Sequence, residues 1–147
     1  MKKILFLIIC CYISFNVNAQ WRRQYASGVS EWTYVYDIGD KSITFTESGL
    51  LMIAAKNRQF LTDKTGNTLV VIVVTYNGKL VTKGQFSLPV TPDGHATGAN
   101  GFRDLLDKVR KGCIIRVVAP VINDFDFDLT TTKMYEGQMY DSKKVMP

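Results

Sequence analysis

The stretch Asn-Gly-Phe-Arg-Asp-Leu-Leu-Asp-Lys-Val-Arg-Lys-Gly-Cys-Ile-Ile-Arg-Val-Val-Ala, residues 100–119, carries two periodicities in succession. Phe102, Leu105, Leu106 and Val109 fall at i, i+3, i+4 and i+7, which aligns four apolar side chains on one stripe of a helix and leaves the rest of its surface to charged residues. Asn100 suits an N-cap, Lys108, Arg110 and Lys111 come late where the helix dipole favours cations, and Gly112 can exit in the left-handed region. A short helix over about residues 101–111 is therefore predicted. The β-branched run from Cys113 to Ala119 then reads as a strand that Pro120 stops. A lone amphipathic helix needs a surface to cover, and everything else in the chain reads as strands and turns. The expected fold is mainly β, an antiparallel β-sandwich or curved sheet with one short helix.

Upstream, residues 68–76 (Thr-Leu-Val-Val-Ile-Val-Val-Thr-Tyr) are apolar on both faces, which predicts a central strand covered above and below. Asn77-Gly78 is a hairpin turn of type I′, because both positions tolerate positive φ. The return strand, 79–88, sets Leu80, Phe86 and Leu88 on one face. Earlier still, residues 31–37 alternate with Trp32, Tyr34 and Tyr36 on one side, and 42–46 repeat the pattern with Ile43 and Phe45. Residues 50–55 suit a further strand better than a helix, and the Pro/Gly-rich residues 89–99 suit a long loop. Downstream, 121–129 alternate as one strand, with Val121, Asn123, Phe125, Phe127 and Leu129 on one face and Ile122, Asp124, Asp126 and Asp128 on the other.

Residues 1–19 have the build of a secretory signal: Lys2 and Lys3, an apolar run, then Val17-Asn18-Ala19. The apolar run is too short to span a bilayer, so no permanent membrane anchor is expected. The expected division is 1–19 signal peptide, 20–28 leader, 29–133 a single β-rich domain and 134–147 a polar C-terminal tail. Cleavage near Ala19 removes two of the 18 basic residues and none of the 13 acidic ones, leaving a net charge of +3. That is too mild to imply a nucleic-acid partner. It also removes Cys10 and Cys11, so Cys113 has no intramolecular partner for a disulfide.

Few residues suit catalysis. His95, the only histidine, lies in Pro92-Asp93-Gly94-His95, where an exposed turn residue is the plainer reading. A Cys113–His95 nucleophile pair is formally available, yet Cys113 opens an apolar strand where a thiol is usually a small filler. One histidine and one cysteine fall short of a zinc site. Asp124, Asp126 and Asp128 are weak candidates for a hard cation, but no glycine bend or distal glutamate follows, and a solvated face offset by Arg116, Lys79 or Lys83 is preferred. No metal and no cofactor is expected. Trp32, Tyr34 and Tyr36, with Trp21 and Tyr25, are candidates for contact with a partner, against the alternative of core packing, and His95 on its loop is a fourth binding candidate beside Trp32, Tyr34 and Tyr36.

From about Leu50 to Leu129 the chain resembles the β-sandwich domain of VasI/TagO-like type VI secretion accessory proteins and is similar to invasion-associated B-like periplasmic proteins. The residues that carry this are the hairpin from Val70 to Phe86, Phe102-Arg103-Asp104-Leu105-Leu106, Ile114-Ile115-Arg116-Val117-Val118 and Phe125-Asp126-Phe127-Asp128-Leu129. The resemblance implies a non-enzymatic envelope protein that works by contact. The expected function is a periplasmic or secreted binding or accessory module of the bacterial cell envelope, with another envelope protein as partner. Two rivals stand beside it: a carboxylate-based hydrolase using Asp124, Asp126 or Asp128 with Glu31 or Glu47, and an inhibitor or immunity-type protein that blocks a partner's site.

Overall fold

The computed structural model describes residues 20–28, 30–98, 102–109 and 111–134. In chain order they form β1 (Trp21–Ala26), β2 (Glu31–Ile38), β3 (Lys41–Thr46), β4 (Leu51–Ala55), β5 (Asn67–Tyr76), β6 (Lys79–Pro89), β7 (Ala96–Gly98), α1 (Phe102–Leu106), β8 (Cys113–Ala119) and β9 (Phe127–Thr130). Two antiparallel sheets result, β1-β2-β3-β4-β7 and β6-β5-β8-β9, so the protein is mainly β with very little helix and is sandwich-like.

β5 lies between β6 and β8, as its apolar sequence requires. Val70, Ile72 and Val74 are buried against the facing sheet, whereas Leu69 is exposed and Val71 and Val73 are only half-buried. Cover is therefore present on one face, not on the two expected, because no layer lies outside the second sheet among the described residues. The β5–β6 turn is as predicted, with Asn77 at φ 48° and Gly78 at φ 75°. A bulge follows: Val74 pairs with Thr82 but Thr75 with Leu80, leaving Val81 unpaired. The extra residue turns Leu80 out of the core, although alternation had set it on the face of Leu88.

The core is filled from the first sheet by Trp21, Tyr36, Ile43 and Phe45, and from the second by Ile72, Val117, Phe127 and Leu129. Trp21 sits 5.3 Å from both Tyr36 and Phe45, ring to ring. Segment 20–28, read as a leader, is instead mostly an edge strand in full register with β2, from Trp21 opposite Tyr36 to Ala26 opposite Glu31. Only one side of an edge strand is paired and only Trp21 reaches the core, so Arg22, Arg23 and Gln24 stay exposed and the alternation is masked. The domain thus begins near Trp21, not at 29. It also takes in Met134, assigned to the tail: this residue is buried, its N–H donates to Cys113 O at 3.0 Å, and its carbonyl accepts from Gly112 N at 2.7 Å. The rest of the expected tail and the expected signal lie outside the described residues.

α1 is shorter than the predicted 101–111. Asp107 N still reaches Arg103 O at 3.0 Å, but Lys108 N bonds Leu105 O and Val109 N bonds Leu106 O, three residues back. The last turn tightens and the regular helix stops. Leu105, Leu106 and Val109 are nonetheless buried, and Gly112 takes the expected positive φ of 83°. Asn100, the predicted cap, lies outside the described residues. The helix closes one end of the sandwich. Arg103 Nη1 donates to Glu47 O at 3.2 Å in the β3–β4 turn, while a Cβ added to Gly84 of β6 would stand 3.2 Å from Leu105 Cδ1.

Candidate functional site

The end of the sandwich opposite α1 is made of loops, and one arginine ties three of them together. Arg58 Nε lies 3.1 Å from Asp40 Oδ2 and 3.5 Å from Asp124 Oδ2, which joins the β2–β3 turn, the β4–β5 loop and the β8–β9 loop. Backbone bonds repeat the connection: Lys56 N to Asp40 O at 2.8 Å, Ile122 N to Gln59 O at 2.8 Å and Leu61 N to Pro120 O at 2.9 Å. Phe60 and Val121 form a bridge between the same two loops, with Phe60 packed 5.9 Å from Phe127. Asn57 and Asn123 turn the chain at φ 59° and 56°, a region in which asparagine is among the tolerated residues.

This construction ends the predicted strand over 121–129. Only Phe127–Thr130 pairs with β8, and residues before it form the loop. Phe125, assigned by alternation to the inner face, is instead 88% exposed. Its N–H donates to Asp124 Oδ1 at 2.7 Å, so the aromatic ring projects from a loop whose backbone is held. Asn123 carried the missed signal: asparagine is depleted in strands and favoured in turns, and it interrupts the alternation.

Two open clefts flank Arg58. One, of about 720 Å³, lies between Ala54, Ala55, Asn57, Gln59 and the Pro92 to His95 turn. The other, of about 340 Å³, lies between Asn57, Gln59 and the β8–β9 loop from Val121 to Asp124. In the first, His95 Nδ1 stands 3.0 Å from Asp93 Oδ2. The Thr91 hydroxyl donates to Asp93 Oδ1 and holds that carboxyl below its ordinary range, helped by the His95 charge and opposed by burial. Thr91 N donates to His95 O at 2.8 Å and His95 N to Thr91 Oγ1 at 3.1 Å, which makes the turn self-supporting. His95 is accordingly a partly exposed turn residue. Cys113 is buried at the far end of the second sheet and lines a different cleft, so the two do not form a pair.

The three aspartates go separate ways. Asp128 receives Arg116, Asp124 receives Arg58, and Asp126 is exposed in the loop before β9. Glu31 accepts from Ser48 N and Oγ, both at 2.8 Å, and Glu47 pairs with Arg23 at 3.2 Å, both at the α1 end. Among the described residues no three His, Cys, Asp or Glu side chains converge where a metal ion could sit.

The aromatic row is divided. Tyr36 and Tyr34 are buried, so they are core and not the contact surface expected of them. Burial raises the Tyr34 hydroxyl above its usual pKa, against the pull of nearby Arg23. Trp32 lies beyond the cover of the second sheet and is 39% exposed, with Tyr25 edge-on at 5.6 Å and the Arg23 guanidinium 4.3 Å over its ring.

Fold and site together define a β-sandwich-like domain with a rigid loop end that presents an aromatic side chain among polar clefts. No protein-family model, curated protein or solved structure matches the chain.

Proposed function

We propose that the chain is an exported, non-enzymatic binding module of the bacterial cell envelope that grips a partner protein with its loop end. The observation that carries this reading is Phe125. A phenylalanine held almost entirely in water by a braced loop contributes nothing to its own core, while aromatic side chains are enriched at protein interfaces and act there as anchors that fill a partner's pocket. The Arg58 staple supports it, since a rigid loop loses little entropy on binding. Ile122 and Leu61, both exposed on the stapled loops, widen the apolar area, and Asn57, Gln59 and His95 supply a polar rim. Dispersal of the carboxylates favours contact over hydrolysis as the mode of action. An inhibitor or immunity-type role is the narrower form of the same reading, with Phe125 filling the site that is blocked. Export rests on the signal-like residues 1–19, and the resemblance over residues 50–129 to envelope accessory proteins points the same way.

The test is site-directed photo-crosslinking in the envelope. A crosslinker at position 125 is expected to give one discrete adduct, absent from a crosslinker at exposed Gln85 on the second sheet, and Arg58→Ala is expected to weaken it. Identical adducts at both positions, or none at 125, would overturn the proposal.

A further inference from the structure

The α1 end carries a surface of different chemistry, formed where the tip of the β5–β6 hairpin leans on the turn between α1 and β8. A Cβ on Gly112 would stand 2.9 Å from Tyr76 Cε2, so the ring and the glycine backbone are in close contact and hold the two segments together. A cleft of about 430 Å³ opens beside them, lined by Tyr76, Val81, Lys108, Lys111 and Cys113. The bulge at Val81 leaves both Val81 and Leu80 in solvent, Leu80 at 59% exposure, and Tyr76 is exposed next to them. Lys79 stands opposite Tyr76 in the hairpin, and Lys83 lies two residues past Val81. With Lys108 and Lys111, four exposed lysines are interspersed with three exposed apolar side chains along the hairpin tip and the adjoining α1–β8 turn. Among the described residues no ion pair engages Lys79, Lys83 or Lys108. Of the acids on the helical segment, Asp107 is turned to Arg103 at 3.9 Å and Asp104 is exposed.

This composition does not suit a protein interface, whose centre is depleted of lysine. It suits the boundary of a bilayer, where a few apolar side chains enter the headgroup layer and lysines meet lipid phosphates. We propose that the α1 end docks reversibly on an anionic bilayer surface, with Tyr76, Leu80 and Val81 inserting and the lysines supplying charge complementarity. The contact is peripheral: among the described residues no helix is long and apolar enough to cross a membrane. It leaves the loop end, at the opposite pole, pointing away from the membrane toward its partner.

The exported chain, purified from the envelope fraction, is floated with phosphatidylcholine vesicles with or without phosphatidylglycerol. Binding is expected only with phosphatidylglycerol and is expected to fall as salt rises. Lys79→Ala and Lys83→Ala are each expected to lower partitioning about fivefold, the equivalent of about 1 kcal/mol per lysine near a charged surface. Leu80→Ser is expected to lower it as well, and Phe125→Ser to leave it unchanged, which separates this surface from the partner site. Equal binding to both vesicle types, or insensitivity to the lysine and Leu80 substitutions, would overturn the proposal. So would loss of the position-125 adduct in the lysine variants without loss of flotation, which would assign the lysines to a protein partner.

Discussion

Asp128 accepts two hydrogen bonds from Arg116, from Nε at 2.9 Å and Nη2 at 2.5 Å, across the seam between β8 and β9. These bonds are the main reason its carboxyl stays below the ordinary range, with burial opposing and the Arg116 and Lys41 charges assisting. A carboxyl depressed in the folded state adds stability above its unfolded value, near 3.9, and loses it as pH falls through the lower folded value. Asp128→Asn is expected to be modestly less stable than the parent in urea titrations at neutral pH, since both partners are substantially exposed, and the difference is expected to shrink as pH falls below about 4, where the parent's own carboxyl becomes neutral.

Leu106 is fully buried on the one helical stripe. Leu106→Ala is expected to cost about 2–5 kcal/mol in a urea titration, the range for a leucine cavity in a packed core. Asp107→Ala, on the exposed side, is expected to stay within about 0.5 kcal/mol of the parent. Equal effects would mean that the helix does not seal the sandwich.

Gly112 combines a φ of 83° with the close approach of the Tyr76 ring. An L-side chain there meets backbone strain of about 1–2 kcal/mol and displaces the ring. Gly112→Ala should lower the thermal midpoint, and vesicle flotation should weaken with it because the hairpin tip loses its support.

The divided aromatic row gives a sharp contrast. Tyr36→Ala is expected to cost about 3–5 kcal/mol, since it empties the pocket shared with Trp21. Trp32→Ala, removing a side chain already partly in water, should cost less than half as much in the same titration.

Phe125→Ser is expected to leave the unfolding free energy from a urea titration within about 0.5 kcal/mol of the parent. The residue touches solvent rather than core, so any loss of partner binding by the Ser variant is then a loss of contact and not of folding.

The elements that were legible in the chain are those whose local pattern and tertiary role agree. The β5–β6 hairpin, the buried stripe of α1 and the left-handed Gly112 follow from short-range sterics and periodicity, which neighbours in sequence carry by themselves. β1 and the β8–β9 loop were hidden for opposite reasons. An edge strand shows little alternation, and a loop that happens to alternate shows too much. His95 was placed correctly in its turn, but its Asp93 and Thr91 partners depend on how that turn closes.

Residues along the chain, read one after another, sufficed for the β class, the position of the helix and the Asn77-Gly78 hairpin turn, because backbone propensity and apolar period act over a few residues. Which aromatic side chains end in the core and which in water was settled by where the second sheet stops covering the first. That limit, like the meeting of Asp40, Arg58 and Asp124 from three distant loops, exists only once strands far apart in sequence have paired, since side-chain burial and ion pairing depend on distance in space.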